Sequence, residues 1–295
     1  DPAKKDITNQ FIKLSKSLSL ISQNSEPIHL NFRFDEPLID KGESFTDKTE
    51  KIKITLQNKK IRLPKYKKPL IVCGPLQTNR NISEIIELAK RIQAPILADT
   101  FSQLRFNSNS DLKYVYYDHY INNLKNKPDL IIRFGDKPIS KNLNEYLDKF
   151  KKVTFLISKY SGLNDDCENI IISHLGNLRT ILESTDFDQS FLSEISTKEQ
   201  QALKTITKIN KPANNQSYFT SNILKYVNEN DHIFIGSSTI LRSFDQFMYL
   251  EEKKLNFYSN HISRGIDGTL SSAIGMAIAN KKTNNYLFIG DVSFF

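Results

Sequence analysis

Apolar and polar positions along this chain alternate in a way that predicts strands followed by helices. Short apolar runs are typical of buried strands, whereas apolar residues at every third or fourth position are typical of amphipathic helices. Between residues 69 and 184 the pattern predicts strands at 70–73, 95–98, 130–134, 153–157 and 170–172, and helices at 82–92 and 143–150. Strands separated by helices of this length predict a parallel sheet with crossover helices.

The same alternation returns after residue 185. A helical pattern at 191–209 is followed by predicted helices at 218–227 and 240–247, and by predicted strands at 232–235, 256–259 and 286–289, the last of which we expect to be buried. The predicted fold class is therefore α/β, with parallel sheets flanked by helices. We expect 69–184 to form a central domain and 185–295 to form a connecting arm and the start of a further domain.

The beginning of the chain has a different pattern. Residues 7–21 predict an amphipathic helix and residues 28–32 a strand, but one helix and one strand cannot bury their apolar faces alone. We therefore expect the chain to be an internal fragment. Residues 41–68 are rich in Lys, Thr and Gln without a clear period, which predicts an exposed linker.

Composition narrows the class of protein. Hydrophobic residues make up 39% of the chain, which is compatible with globular domains, and no apolar run approaches the roughly 18 residues of a membrane span. The formal charge of +8 comes from lysines and arginines that are dispersed and accompany no nucleic-acid-binding motif. Cys73 and Cys167 have no metal-ligand spacing. We expect a cytoplasmic protein without a membrane span and without a nucleic-acid partner.

Candidate ligand chemistry follows the predicted strand at 286–289, where the chain continues with Gly290, Asp291 and Ser293. Open α/β sheets bind ligands at the carboxyl ends of their strands. A carboxylate there can hold a hard divalent cation, and a neighbouring glycine lets a phosphate approach the backbone, so the pattern favours a metal-diphosphate site. A plain turn explains Gly290 and Asp291 equally well from the residues alone.

A second candidate segment is Gly265-Ile266-Asp267-Gly268, a turn that leads into a helical stretch of Ala, Ser and Gly. Together with Gly290-Asp291 it resembles the diphosphate-binding domain of thiamine diphosphate enzymes, and the MenD family in particular. Blocks at 27–38, 71–75, 94–99 and 133–141 resemble the end of that family's pyrimidine-binding domain and parts of its central domain. The resemblance implies that 1–40 is the remnant of the pyrimidine-binding domain and that 185–295 begins the diphosphate-binding domain.

The MenD resemblance also implies a reaction. It is the decarboxylation of 2-oxoglutarate with thiamine diphosphate and Mg²⁺ or Mn²⁺, and the conjugate addition of the succinyl-semialdehyde unit to isochorismate, in menaquinone or phylloquinone biosynthesis. The family's site residues correspond to Gly265, Ile266, Asp267, Gly268, Gly290 and Ser293 for the cofactor, Asp291 for the metal, and Ser238, Arg242 and Lys141 for the substrates. Family members place the active site between subunits, so we expect a homodimer or a homotetramer.

Two features of these residues leave alternatives open. Residues 236–242 follow a predicted strand and open a helix, so their backbone N–H groups would face an anion, but an ordinary serine cap explains them equally well. Many family members have an active-site Arg where this chain has His261, and Arg264 follows three residues later. Either Arg264 or a protonated His261 would then contact the substrate carboxylate.

Family members carry their catalytic Glu in the part that precedes Asp1, and their remaining metal ligands in the part that follows Phe295. We therefore expect the chain by itself to be inactive. One alternative function is a different thiamine diphosphate carboligase of the acetolactate synthase type, which would usually carry a flavin contact in its central domain. Another is a non-catalytic binding protein on the same sheet, in which Asp291 is only a turn residue.

Overall fold

The computed structural model describes Leu14 and residues 53–56, 63–76, 82–158, 165, 167–172, 186–209, 215–249, 253–260 and 266–294. Apart from Leu14, the predicted helix at 7–21 and the predicted strand at 28–32 lie outside these residues. The described parts contain two parallel sheets and the helices that flank them. This confirms the predicted α/β fold class.

The first sheet is built from seven of the described strands, and all of its pairs are parallel. The strands are β1 (Lys53–Leu56), β2 (Pro69–Cys73), β3 (Ile96–Ala98), β4 (Lys113–Tyr114), β5 (Leu130–Phe134), β6 (Thr154–Ser158) and β7 (Asn169–Ile172), in the order β1-β7-β6-β5-β2-β3-β4. The central strands β2, β3 and β5 are buried along their whole length. Burial on both faces explains why their sequences are nearly continuous apolar runs.

The second sheet contains three parallel strands, in the order β10-β8-β9. They are β8 (His232–Ile235), β9 (Asn256–Tyr258) and β10 (Asn285–Phe288), each within about one residue of its predicted bounds. The prediction that the last strand is buried is wrong, because β10 is half-exposed along its length. Among the described strands it pairs with β8 alone, so it lies at an edge of the sheet.

Helices flank both sheets. In the described ranges they are α1 (Ile82–Arg91), α2 (Leu104–Asn107), α3 (Lys141–Lys149), α4 (Gln189–Ile209), α5 (Gln216–Asn222), α6 (Thr239–Phe247), α7 (Thr269–Ala279) and α8 (Asp291–Phe294). The predicted helix at 218–227 is instead α5 followed by a 3₁₀ turn at Ile223–Tyr226. Within the described part of the chain, no helix has both the length and the apolar character that a membrane crossing requires.

Helices pack on opposite faces of the first sheet because successive strand residues point to opposite sides. Ile71 and Cys73 of β2 lie in one apolar cluster with the buried face of α1, whereas Leu70 and Val72 lie in the other with the buried face of α3. The long helix α4 contributes to both clusters, so it packs on the first sheet as well as following it in the chain.

Strand β1 lies within 41–68, the range that the sequence predicts to be an exposed linker. Its four residues pair in register with β7 and extend the first sheet at its edge. Polar and apolar residues alternate at 51–56, as is typical of an edge strand, but the high lysine content of the range hides that alternation. The linker prediction is therefore wrong for Lys53–Leu56.

The loops after β2 and β5 touch each other at the point where the strand order of the first sheet reverses. A Cβ built on Gly74 would lie 1.9 Å from the backbone oxygen of Asp136. Gly135 has a φ of 75° and faces the Pro75 carbonyl, which accepts the Asp136 N–H at 2.9 Å. Backbone contact therefore joins the two loops at the position where many doubly wound folds hold a nucleotide.

The chain directly after β3 connects the two sheets. This bridging segment, residues 99–108, contains α2 and places Phe101 and Phe106 in the apolar core of the second sheet. The ring of Phe106 stacks on that of Phe257 in β9, with centroids 4.7 Å apart. Side-chain amides of the bridging segment also donate to carbonyls in and beside β9, Gln103 to Phe257 at 3.0 Å and Asn107 to Leu255 at 2.9 Å.

A buried ion pair joins the bridging segment to α6. The Arg105 guanidinium lies 3.3 Å from Oδ1 of Asp245, and the exposed fractions of the two side chains are 0% and 2%. Its second nitrogen donates to the backbone carbonyl of Asp245 at 2.8 Å and also to the Val115 carbonyl. Thr100 donates both its backbone N–H and its hydroxyl to the same carboxylate oxygen at 3.1 Å. Directional bonds thus fix α6 relative to the first sheet.

The backbone contact at Gly74 generates a stability prediction. We expect Gly74→Ala to lower the free energy of unfolding by about 3 kcal/mol, because the added methyl group would overlap a backbone oxygen that cannot rotate away. The matched control is Gly275→Ala in α7, where a Cβ meets no atom within 4 Å and a helical alanine gains up to about 1 kcal/mol over glycine. Urea unfolding curves of the three proteins measure both changes, and a Gly74→Ala chain as stable as wild type would contradict this packing.

Candidate active site

The carboxyl ends of β8 and β10 meet the beginning of α7 at one edge of the second sheet. Gly236, directly after β8, donates its backbone N–H to the Phe288 carbonyl at 2.8 Å. A Cβ on Gly236 would lie 3.5 Å from Cγ2 of the buried Thr269, the first residue of α7. The segments after β8, after β9, after β10 and before α7 therefore surround one region, which we call the carboxyl edge. Parallel α/β sheets bind their ligands at this position.

Two serine hydroxyls at the carboxyl edge are buried and lack a partner among the described residues. Ser237 follows β8 and Ser259 follows the neighbouring strand β9. The Oγ atom of each is enclosed and accepts or donates no hydrogen bond within the described part of the chain. A buried hydroxyl without a partner costs about 1–3 kcal/mol, so these two groups are suited to bind a polar ligand.

Ser238 and Arg242 lie at the exposed beginning of α6, and their role in binding substrate stays a prediction. Ser238 occupies the N-cap position, but its φ is 125° and its side chain caps no N–H group among the described residues. The alternative of an ordinary serine cap is therefore wrong. Strained φ values in non-glycine residues cluster at functional sites, and both the positive end of a helix and a guanidinium favour an anion.

The turn before α7 is exposed at the same edge. Gly268 has a φ of 76°, the left-handed conformation that glycine adopts without strain, and it caps α7. Ile266 is 47% exposed, which does not fit a purely structural core role, and Asp267 is exposed as well. His261, Arg264 and Gly265 lie outside the described residues, so the choice between His261 and Arg264 stays a prediction.

Asp291 begins the short helix α8 directly after β10, and its side chain is exposed. Ser293 donates its backbone N–H to the Gly290 carbonyl at 3.1 Å, and a Cβ on Gly290 would meet no atom within 4 Å. The backbone here is therefore open to a phosphate. Nowhere in the described ranges do three His, Cys, Asp or Glu residues form a metal site, and the role of Asp291 as a metal ligand stays a prediction.

The structure does not place Lys141 at the carboxyl edge. Lys141 begins α3 on the first sheet, and its ammonium group lies 3.7 Å from the exposed carboxylate of Glu145. Asp118 connects this turn to the far end of α6, because its carboxylate accepts from Asn142 at 3.3 Å and from Gln246 at 2.7 Å. Lys141 is thus near the junction of the two sheets, and its role in substrate binding stays a prediction.

The junction behind α6 contains two buried carboxylates and one guanidinium. Burial, and secondly the Asp245 carboxylate, raise the pKa of Asp99 to about 8, although Asp99 accepts the backbone N–H groups of Phe101 and Ile139 at 2.8 Å. Burial also raises the pKa of Asp245, against the opposing charge of Arg105. Burial beside these carboxylates holds the pKa of Tyr117 well above its usual value. The cluster therefore retains a proton at neutral pH.

Sequence reasoning did not identify Arg105, Asp245, Ser237 or Ser259 as site residues. A signal existed for the two charged residues, because Arg105 stands between Leu104 and Phe106 and Asp245 follows Phe244 on the apolar stripe of α6. A charge on an apolar stripe indicates a buried partner, but the partner is 140 residues away in the sequence. The available signal for the two serines was their position within two residues of the ends of neighbouring parallel strands.

Known proteins resemble this chain over most of its length. The family model described as the middle domain of thiamine pyrophosphate matches residues 38–235. A protein of Staphylococcus haemolyticus (strain JCSC1435) named 2-succinyl-5-enolpyruvyl-6-hydroxy-3-cyclohexene-1-carboxylate synthase is 31% identical over 281 residues, which cover 91% of this chain and 50% of the relative. Proteins of the same name from Bacillus cytotoxicus and Staphylococcus aureus (strain MRSA252) are 27% and 29% identical, over 100% and 94% of this chain. The chain spans about half the length of these curated relatives, 50% to 55%.

The buried carboxylates predict an unusual dependence of stability on pH. Folding keeps a proton on Asp99 up to about pH 8, whereas an unfolded Asp loses its proton near pH 3.9. Between these values the folded state binds more protons, so the free energy of unfolding should fall as the pH rises, by at most about 1.4 kcal/mol per pH unit. Urea unfolding at several pH values in this window measures the slope.

Asp99→Asn tests the origin of that slope. The variant has no titrating group at this position, so its unfolding free energy should depend less on pH than that of wild type, whatever the constant cost of the substitution. Asp186→Asn is the control, because Asp186 is an exposed carboxylate paired with Lys67 and the variant should keep the wild-type slope. Equal slopes in wild type and Asp99→Asn would show that Asp99 is ionised throughout the window.

Proposed function

Since the chain belongs to the thiamine pyrophosphate middle-domain family, we propose that it forms the central part of a thiamine diphosphate-dependent 2-succinyl-5-enolpyruvyl-6-hydroxy-3-cyclohexene-1-carboxylate synthase. This transferase would decarboxylate 2-oxoglutarate and add the remaining four-carbon unit to isochorismate, in menaquinone or phylloquinone biosynthesis. The proposal is carried by one agreement. Relatives with that common name match nearly the whole chain, and its carboxyl edge combines exposed Arg242 with exposed Asp291.

The residues at the carboxyl edge fit the proposed cofactor. Thiamine diphosphate, when bound, supplies the nucleophilic carbon and the electron sink that the decarboxylation of a 2-oxo acid requires. The hydroxyls of Ser237 and Ser259 can donate to diphosphate oxygens, and the open backbone at Gly290 lets a phosphate approach. Asp291 would hold Mg²⁺ or Mn²⁺, and the exposed Ile266 would support the organic part of the cofactor.

Both proposed substrates carry carboxylates, so the cations near the edge would hold them in place. The fork of Arg242 can bind both oxygens of one carboxylate, and Ser238 lies at the same exposed end of α6. His261 or Arg264 would contact a further carboxylate, and Lys141 would approach from the first sheet. In this arrangement the protein binds and orients the acids beside the cofactor, which accounts for its contribution to the rate.

The proposed enzyme places this chain between two further parts. We propose that 1–40 ends a pyrimidine-binding domain, that the central domain of 69–184 also includes β1 and α4, and that the region after α4 begins the diphosphate-binding domain. Contacts of β1 with β7 and of α4 with both apolar clusters support the extended central domain. The active enzyme would be a homodimer or a homotetramer.

One observation bears on the alternative of an acetolactate synthase type of carboligase with a flavin in its central domain. Nucleotides bind doubly wound folds in the crevice where the strand order reverses. In this chain the Gly74 and Gly135 loops fill that position with direct backbone contacts. A flavin would therefore need another position, which disfavours this alternative. A non-catalytic binding protein remains the outcome to be tested directly.

The experiment that tests this proposal uses the protein extended at both ends of the present chain, together with thiamine diphosphate and Mg²⁺. Carbon dioxide release from 2-oxoglutarate is followed first, and the loss of isochorismate absorbance is followed in the same reaction. We expect both substrates to be consumed together. Decarboxylation without isochorismate loss would assign the protein to another carboligase, and the absence of any turnover dependent on thiamine diphosphate would leave a binding protein.

Arg242→Gln is the sharpest variant for the substrate site. The loss of a bidentate contact to a carboxylate should raise KM for one of the two acids at least about tenfold, while the affinity for thiamine diphosphate stays near wild type. Lys204→Gln is the matched control, because Lys204 is an exposed cation on α4 whose removal changes the net charge equally. If the two variants show the same KM values for both acids, Arg242 does not bind substrate.

A further inference from the structure

We propose that the buried pair of Arg105 and Asp245 positions α6 so that the central domain sets how tightly Arg242 holds a carboxylate substrate. In this role Arg105 and Asp245 are positioning residues, since both are buried and neither lies at the carboxyl edge. The inference rests on the proposed function, because it concerns the substrate affinity of the same site. If the proposal holds, residues that follow strands of the first sheet influence substrate affinity at the carboxyl edge of the second sheet.

The contacts on Asp245 come entirely from the first-sheet side of the junction. Oδ1 accepts hydrogen bonds from the N–H and hydroxyl of Thr100 at 3.1 Å and lies 3.3 Å from the guanidinium of Arg105. The hydroxyl of Tyr117 lies 3.3 Å from Oδ2. Arg105 also donates to the backbone carbonyl of Asp245, so the main chain of α6 is held together with the side chain.

The two residues after Asp245 are held by the same part of the protein. Gln246 donates its side-chain N–H to Asp118 at 2.7 Å, and its carbonyl lies 3.0 Å from ring nitrogen Nε2 of His119. The ring of Phe247 lies 5.5 Å from that of His119. The last turn of α6 is therefore held by Asp118 and His119, which follow β4 of the first sheet. Ser238 and Thr239, at the beginning of the helix, are exposed.

Arg242 lies between the anchored and the exposed end of α6. It precedes Asp245 by three residues, so the two side chains lie on neighbouring turns of the same side of the helix. Leu241 and Phe244 pack in the apolar core, and apolar burial is less directional than hydrogen bonding. The hydrogen bonds to Asp245 fix the rotation of α6 about its axis and its position along that axis. Because Arg242 belongs to the same helix, these bonds also fix the position of its backbone.

The energetics of the pair favour a positioning role over a purely stabilising one. A buried ion pair often contributes no more stability than well-packed apolar residues of the same size, because both charges lose their water. What the pair supplies beyond apolar packing is a defined geometry, since Arg105 is bonded at the same time to Asp245 and to the Val115 carbonyl beyond β4. A substitution that keeps this geometry should therefore keep the substrate affinity.

The distribution of contacts on the carboxylate identifies that substitution. Oδ1 carries the contacts to Thr100 and Arg105, and the closest contact of Oδ2 is the Tyr117 hydroxyl, which can accept as well as donate. Asp245→Asn can therefore keep the contacts of Oδ1 with Thr100 and Arg105 while it removes the negative charge that pairs with Arg105. Asp245→Ala loses all of the side-chain contacts, so the pair of variants separates anchoring from charge.

The experiment measures both variants in the intact protein. We expect Asp245→Ala to raise KM for one of the acids about tenfold or more, while the Kd for thiamine diphosphate changes less than about twofold. Asp245→Asn should bring KM back to within about threefold of wild type. Amide hydrogen exchange should be faster at 239–244 in Asp245→Ala than in wild type, which is a readout that does not depend on activity. Asp186→Asn, which removes an exposed paired carboxylate, should match wild type throughout.

Thr100→Val is the milder companion variant. It keeps the shape of the side chain and the backbone bond to Asp245, and it removes only the hydroxyl that contacts both Asp245 and Arg105. We expect a rise in KM of about threefold, smaller than that of Asp245→Ala. This variant keeps the proposal testable if Asp245→Ala does not fold.

Several outcomes decide against the proposal. A folded Asp245→Ala protein with wild-type KM values and unchanged exchange at 239–244 would overturn it. So would a parallel loss of thiamine diphosphate affinity and kcat without a selective change in KM, since that pattern indicates a structural role only. If wild type shows no turnover dependent on thiamine diphosphate, the proposed function fails first, and the exchange data alone then decide whether the pair anchors α6.

Discussion

The buried contact between Arg105 and Asp245 is the main directional link between the chain that follows β3 of the first sheet and helix α6, which packs on the second sheet. Buried charges are costly unless they are paired and hydrogen-bonded, and here the guanidinium reaches a carboxylate and two backbone carbonyls. Because these partners lie on α6 and beyond β4, the pair can be satisfied in only one orientation of the two sheets. The aromatic side chains of the bridging segment then fill the core of the second sheet.

The carboxyl edge is formed by contacts between the ends of β8 and β10 and the beginning of α7. Gly236 brings the ends of β8 and β10 and the first residue of α7 into contact, and Arg242 is exposed on α6, the helix that follows β8. Polar groups of three kinds then face one region: the buried serine hydroxyls, the exposed arginine and the exposed carboxylate of Asp291.

Periodicity predicted most of the described elements, because the spacing of apolar residues within a strand or a helix reflects which of its faces is buried. Strand β5 and strand β8 have their predicted bounds, and the motif at Gly290 and Asp291 does lie at the carboxyl end of a parallel strand. The failures have physical causes. Lysines of an edge strand hid β1, and burial of β10 was overestimated because strand order is not visible in the strand's own sequence.

By itself, the sequence determined the α/β class, most of the longer elements and the residues at the tips of β8 and β10, since each of these depends on local periodicity or on a short motif. The tertiary structure alone decided which distant groups meet. Arg105 and Asp245 stand 140 residues apart, and the segments that carry Ser237 and Ser259 reach the same edge of the second sheet only because β8 and β9 pair. Such contacts depend on how whole helices and strands pack against one another, and a local sequence pattern contains no information about that packing.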